Sequence, residues 1–334
     1  GLTKYNVKVD TIQQLPHVLP QAFREATTGV PGPVHIDVPG LFGEFLEAAE
    51  ADLDVVVEPA YGTYPVWRPV PDQQDLERAA HALLQAERPV MVVGRGAVIS
   101  GAAQEVVRLA ERLSIPVAVS PDGKGLMVDG HPLFIGLVGG YGRPGANHIL
   151  SEADLVFYAG CGTGDQVTNN WTLPAPGMRV VQLDIDPAEI GRNYPGVLGL
   201  AGDAKKTLQA LAEAVGPRRK PGPWVRRARA VEQMWRQAVE PFQNSDAVPI
   251  RPERLCSEIA GILPGNAVLV ADTGYSAIWS GTLIDFSQPG QDYLRSAGSL
   301  GWSLPAAIGA KCAAPDRPVF CFCGDGALWY HLAE

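Results

Sequence analysis

Seven short runs in the chain are almost entirely apolar. They are PVHIDVP (33–39), RPVMVVG (88–94), IPVAVS (115–120), DLVFYAG (154–160), RVVQLDID (179–186), NAVLVADTG (266–274) and RPVFCFCGDG (317–326). A strand with one wet face alternates apolar and polar residues. A run without that alternation suits a strand covered on both faces, as in a parallel sheet. Between the runs lie segments with apolar residues three and four apart, such as DQQDLERAAHALLQAE (72–87) and GAAQEVVRLAERLS (101–114), which is helical spacing. Alternating strand and helix predicts an α/β fold with parallel sheets and right-handed crossovers. In such folds ligands bind beyond the carboxyl ends of the strands.

Two stretches break the rhythm. Residues 40–71 hold an acidic segment, EFLEAAEADLDVVVEP, and then a Pro-rich one, YGTYPVWRPVP. Residues 217–250 begin PRRKPGPWVRRARA. The basic segment reads as a solvated connecting helix rather than as an anion site, because the whole chain carries 27 Lys and Arg against 36 Asp and Glu, a net charge of −9. The expected organisation is a helix and strand at 1–40, a linker at 41–71, an α/β domain at 72–216, a second linker at 217–250 and the start of another α/β domain at 251–334. A chain of 334 residues with 46% hydrophobic composition can build several cores, so disorder is excluded as the main state. The acidic balance excludes a nucleic-acid binder that works by bulk phosphate neutralisation. No run approaches the roughly 20 apolar residues of a membrane span, and GLTKYNVKVD does not read as a signal peptide. The five cysteines (161, 256, 312, 321, 323) read as buried free thiols in the reducing cytoplasm. Because residue 1 is Gly and the final ALWYHLAE reads as mid-helix, the chain is expected to be a piece of a longer protein.

Three segments carry chemistry. Gly324-Asp325-Gly326 follows a strand and precedes a helix. A carboxylate there suits Mg²⁺, which takes one or two carboxylates plus phosphate oxygens, and the glycines let backbone approach a diphosphate. One strand earlier, Asp272-Thr273-Gly274 turns into a helix starting at Tyr275-Ser276. Its free N–H groups could face phosphate, and Ser276 could equally be a cap. In SAGSLGWSLPAAIGAK (296–311), Gly298 and Gly301 bracket Ser299-Leu300, exposing backbone around one apolar side chain. The central stretch offers weaker signals. Gly94-Arg95-Gly96 follows a strand, but Ile99 stands where a dinucleotide fingerprint wants its third Gly. Gly140-Tyr141-Gly142-Arg143-Pro144-Gly145 matches the spacing in an undefined loop, and Asp184 ends a strand where a ribose hydroxyl can bind.

These three segments, in this order, resemble the diphosphate-binding domain of thiamine diphosphate-dependent enzymes. TKYNVKVDTIQQLPHVLPQAFREATTGVPGPVHIDVPG (3–40) resembles the end of that family's pyrimidine-binding domain, most like acetolactate synthase. VVQLDIDPAEIGRN with GLAGDAKKTLQAL resembles its Rossmann-like central domain. The resemblance covers nearly the whole chain. It implies that Asp325 ligates Mg²⁺, with Gly324, Gly326 and Ala327 near the diphosphate and Gly274, Tyr275 and Ser276 on its other side. Leu300 would prop the cofactor in its bent form, and the Gly298 and Ser299 backbone would face the aminopyrimidine. The central domain of acetolactate synthases holds FAD. Here Gly94, Arg95, Gly96, Gly160, Gly162 and Asp184 are the candidates for FAD or another nucleotide, although GLVGGYG and GCGTGDQVTNN stand where that enzyme carries a His and an Arg. The activity implied is thiamine diphosphate- and Mg²⁺-dependent carbon–carbon chemistry on a 2-oxo acid such as pyruvate, in a homodimer or homotetramer of the longer protein. The family's activating Glu and its Asn pair after the GDG match nothing in this sequence, so the chain by itself is expected to be inactive. Another decarboxylase or carboligase of the family is the alternative, and a non-catalytic nucleotide-binding module is a further one.

Overall fold

The apolar runs become strands, and every strand pairing is parallel. The structure is a computed structural model that describes residues 2–38, 53, 54 and 57–333. Its two units divide between Pro69 and Val70. Most of the acidic part of the expected linker lies outside the described residues.

The first unit contains β1 (Tyr5–Lys8), α1 (Leu15–Thr27) and β2 (Val34–Asp37). Tyr5 stands opposite Val34 and Lys8 opposite Asp37, which makes one β-α-β crossover. Lys4 Nζ donates to Val30 O at 2.9 Å, and Tyr64 Oη donates to Gly29 O at 2.7 Å.

The second unit starts with α2 (Gln73–Gln85), β3 (Pro89–Val93), α3 (Arg95–Ile99), α4 (Ala103–Leu113), β4 (Val117–Val119), β5 (Phe134–Leu137), α5 (Pro144–Glu152) and β6 (Leu155–Ala159). It continues with α6 (Asp165–Thr168), β7 (Arg179–Asp184), β8 (Leu198–Ala201), α7 (Ala204–Ala214) and α8 (Pro223–Gln243). These strands form a six-stranded sheet in the order β5-β4-β3-β6-β7-β8. Counted from β3, that is the 3-2-1-4-5-6 order of a doubly wound Rossmann-like sheet, with its switch point between β3 and β6. Met91, Val93 and Phe157 face α2, α4 and α7 in one core, whereas Val90, Val92 and Val156 face α5 and α8 in the other. Both faces are covered, which is why these strands carry no polar alternation.

The unit ends with α9 (Pro252–Ile262), β9 (Val268–Ala271), α10 (Tyr275–Leu283), β10 (Asp292–Arg295), α11 (Ser303–Ala313), β11 (Val319–Phe322) and α12 (Asp325–Tyr330). Here β9 is central in a three-stranded sheet, β10-β9-β11. Leu269 and Ala271 pack with Cys256 of α9, and Val268 and Val270 with Ala307 of α11.

A buried ionic cluster joins the two layers. Arg143, 1% exposed, precedes α5 and reaches across to the segment after α10. Its Nε donates to Thr282 O at 3.0 Å, and its Nη2 donates to Asp129 at 2.9 Å and Asp285 at 2.8 Å. Its guanidinium lies 4.2 Å over the Trp235 ring of α8. Asp129 also accepts from Phe286 N at 2.8 Å. Arg236 donates to Glu232 at 2.6 Å and pairs with Asp285. Lys124 lies 3.5 Å from Asp129 and 4.9 Å over the Phe286 ring. Burial holds its amine below the usual lysine range, against the attraction of Asp129.

Three sequence expectations change. β1, β5, β8 and β10 are strands that the apolar-run criterion does not find: β1 and β10 alternate in exposure, and β5 and β8 carry a glycine. Edge strands need only partial cover: β10 reads DYLR, with alternating exposure. Cys161 and Cys256 are buried free thiols, but Cys312 and Cys321 are exposed and Cys323 is half-buried. Cys321 pairs with Val270 on edge strand β11, which leaves it open to solvent. The basic segment becomes α8, and one face of it is core: Trp224, Val225, Ala228 and Val231 are buried, and Trp224 Nε1 donates to Pro89 O at 2.9 Å. No helix among the described residues is long and apolar enough to cross a membrane.

Arg143→Met leaves Asp129 and Asp285 without their shared cation. It should cost about 3–5 kcal/mol in urea unfolding, and a loss under about 1 kcal/mol would contradict the assignment. Asp285 supplies a pH signature. Burial pushes its carboxyl up, but Arg143 and Arg236 outweigh that and hold it at about 2. A depressed carboxylate contributes stability above its unfolded pKa of about 3.9 and loses it as pH falls through the folded value. The stability gap between wild type and Asp285→Asn should therefore be constant above about pH 5 and shrink from about pH 4 to 2. A gap unchanged at pH 2 would refute this.

Candidate functional site

The carboxyl ends of β9, β10 and β11 align at Ala271, Arg295 and Phe322. Each strand is followed by one of the three segments singled out in the sequence. Asp272 knits them together and is fully buried. Its N–H donates to Phe322 O at 2.9 Å. Its Oδ1 accepts from Thr273 N at 3.0 Å and Gly301 N at 3.2 Å, and its Oδ2 accepts from Ser303 N at 3.1 Å. One carboxylate thus fixes the turn after β9, the loop after β10 and the start of α11. A carboxylate that accepts several backbone N–H bonds is well satisfied in a buried site.

The loop also meets α12. Gly301 has φ +84°, and a Cβ on it would lie 2.6 Å from Tyr330 Cβ and 3.1 Å from Ala327 O. Only glycine allows that turn and that approach. Residues 298–301 and 324–327 are therefore neighbours, and Gly274, Tyr275 and Ser276 leave the same sheet edge two residues beyond Asp272. Gly274 caps α10 with φ +69°, Ser276 is buried and Tyr275 is exposed.

Several groups stand open. Gly298, Gly324 and Gly326 have nothing within 4 Å of where a Cβ would be. Leu300 is 52% exposed. Asp325 is exposed and makes no hydrogen bond or ion pair among the described residues. Ser299 differs from expectation: its N–H donates to Ser296 Oγ at 3.1 Å, and Ser296 Oγ donates to Ser299 O at 2.8 Å. The Cys323 thiol, pushed up to about 11 by burial and by Cys321, flanks Gly324. Asp272 and Ser296 escaped the sequence reading. The signal for Asp272 was available, since a carboxylate directly after VLVA must find donors.

The central-sheet candidates form a separate group, at the switch point of β3 and β6. Gly96 N donates to Gly160 O at 2.8 Å, Gly160 N to Leu183 O at 2.9 Å and Gly94 N to Ala159 O at 3.3 Å. A Cβ on Gly160, where φ is +54°, would lie 2.5 Å from Ala97 N. These glycines allow chain to pack on chain. Gly162 is open, and with Arg95, Asp122, Asp165, Gln166 and Arg295 it lines a cleft of about 280 Å³. Asp184 ends β7, where it accepts from Asp186 N at 3.0 Å. Burial raises its pKa above the usual range.

In a parallel α/β layer the loops at the carboxyl edge of the strands, here three glycine-bearing ones, are where ligands bind. The chain belongs to the thiamine pyrophosphate enzyme family. The description "thiamine pyrophosphate enzyme, central domain" matches residues 76–211, and "C-terminal TPP binding domain" matches residues 272–334. The chain is 34% identical to a probable acetolactate synthase large subunit of Methanocaldococcus jannaschii, a match covering 100% of this chain and 57% of that protein. It is 31% identical to the acetolactate synthase isozyme 1 large subunit of Escherichia coli K12, with the same coverage. It is also 32% identical to the glyoxylate carboligase of Escherichia coli O157:H7, over 100% of this chain and 56% of that protein. The chain thus spans little more than half the length of these relatives.

Gly160→Ala should cost about 2–4 kcal/mol, through left-handed strain and overpacking. Gly162→Ala, in open space, should stay within about 0.5 kcal/mol. Equal effects in thermal unfolding would contradict the division into packing and open glycines.

Proposed function

We propose that this chain is part of a thiamine diphosphate- and Mg²⁺-dependent enzyme that forms or cleaves carbon–carbon bonds of a 2-oxo acid such as pyruvate, in the manner of acetolactate synthases. The observation that carries the proposal is that the Asp272 carboxylate ties the turn after β9 to the loop after β10, while Gly301 of that loop packs on Ala327 and Tyr330 beside the exposed Asp325. The residues present fit the cofactor. Asp325 offers a carboxylate to Mg²⁺. Gly324, Gly326 and Ala327 on one side, and Gly274, Tyr275 and Ser276 on the other, offer backbone to the diphosphate. Leu300 offers an apolar side chain and Gly298 an open backbone to the rings, while Ser299 shapes the loop through its bonds to Ser296. Thiamine diphosphate supplies an electron sink for loss of CO₂ and for joining of carbon centres. What this chain contributes is orientation: the Asp272 bonds fix the loop before any ligand arrives, so little ordering cost falls on binding.

FAD fits less well. The backbone N–H groups of Gly94, Gly96 and Gly160 are spent inside the protein. The cleft is lined by the carboxylates of Asp122 and Asp165 as well as by Arg95, and Arg295 is already paired with Asp122. The proposal therefore includes no flavin. It does include a cytoplasmic homodimer or homotetramer, the cytoplasm being consistent with five free thiols. A second reading, carboligation of glyoxylate, is favoured by the comparable identity to glyoxylate carboligase.

In the full-length protein, Asp325→Ala should abolish Mg²⁺-dependent retention of thiamine diphosphate on gel filtration, with a melting temperature unchanged without ligands. Retention by the variant would refute the metal assignment. With wild type, CO₂ release from pyruvate supports the first reading, and release from glyoxylate alone supports the second. Turnover of neither would overturn both.

A further inference from the structure

Arg295 ends β10, and its side chain is 2% exposed. Apart from a 3.5 Å bond from Nη1 to the neighbouring Ser296 O, its partners belong to the six-stranded layer. Its Nε and Nη2 grip the two oxygens of Asp122 at 2.9 and 3.3 Å, and Nη2 also donates to Gln166 Oε1 at 2.8 Å. The Tyr141 ring lies 5.9 Å from its guanidinium carbon. Asp122 sits in the 3-10 turn after β4, Gln166 in α6 and Tyr141 in the loop after β5. A single side chain thus fastens the end of β10 to three turns of the other layer.

The next residue begins the cofactor loop. Ser296 is buried, and its hydroxyl closes residues 296–299 into a turn through both its bonds to Ser299. Leu300 follows, and then Gly301, which Asp272 holds. The loop therefore has one anchor at each end. Asp272 fixes its exit from within the three-stranded layer, and Arg295 fixes its entry from across the seam. A lysine in place of Arg295 could not hold both oxygens of Asp122 and reach Gln166 as well, because the planar fork supplies those donors in fixed geometry.

We propose that Arg295 is a positioning residue. Its bidentate pair with Asp122 sets where Gly298 and Leu300 present themselves, and so sets the affinity for the ring portion of thiamine diphosphate. The inference rests on the cofactor reading above. The diphosphate is held by the other two segments, whose anchors do not include Arg295. The two parts of the ligand should therefore respond differently.

The experiment measures, in the full-length protein with excess Mg²⁺, the Kd of thiamine diphosphate and separately that of inorganic diphosphate. Arg295→Met should raise the first about tenfold or more and leave the second within about twofold. Asp122→Asn, a milder change at a half-exposed partner, should shift the Kd in the same direction, and the double variant should be no worse than Arg295→Met. Arg295→Lys should recover only part of the loss. A general structural defect would weaken both ligands together, and that result would overturn the proposal, as would unchanged thiamine diphosphate binding by Arg295→Met. If Arg295→Met does not fold, Asp122→Asn carries the same comparison. Failure of wild type to bind either ligand would overturn the cofactor reading itself, and is distinguished from the other results by the wild-type control.

Discussion

The arrangement of the second unit depends on one guanidinium. Arg143 is buried where the six-stranded layer, α8 and the segment after α10 meet, and it serves all three. Around it three cations (Lys124, Arg143, Arg236) face three carboxylates (Asp129, Glu232, Asp285). Charges of this kind are costly to bury and tolerable only when matched and hydrogen-bonded. They contribute more to geometry than to net stability, because each must be met from a fixed direction. Gly136 shows how tight the arrangement is: a Cβ there would fall 2.4 Å from Arg143 Cδ.

With that seam fixed, the carboxyl edge of the three-stranded layer has a fixed position against the switch point of the larger sheet. Arg295 and Asp122 make a second, smaller contact between the layers. Asp272 then distributes order within the edge itself. The loops are held through backbone bonded to the buried Asp272 carboxylate, while Asp325, Leu300 and the open glycines face outward.

The sequence disclosed this unevenly, and for physical reasons. Interior strands such as β3, β6 and β9 are covered on both faces, so their composition alone identified them. β5, β8 and β10 sit at edges and carry Gly or charge, so they looked like loops. The GDG, DTG and SAGSLG segments stand out in the sequence because glycine and carboxylate lie at the ends of strands, where ligands bind in such sheets. The glycines of the central sheet carried the same local signature but serve chain-to-chain packing, and only three-dimensional neighbours such as Ala97 against Gly160 separate the two cases. Arg143 and Arg295 were invisible as anchors. Their carboxylate partners lie from 14 to 173 residues away in sequence, beyond any local pattern.

The proposed role of Asp325 is to ligate a metal beside the loops that follow β9 and β10. The most direct test is a crystal structure of the full-length protein with Mn²⁺ in place of Mg²⁺ and thiamine diphosphate, read by anomalous scattering. The account predicts a peak about 2.1–2.2 Å from an Asp325 carboxylate oxygen, with diphosphate density between residues 274–276 and 324–327. A cofactor bound with its metal away from Asp325 would contradict it.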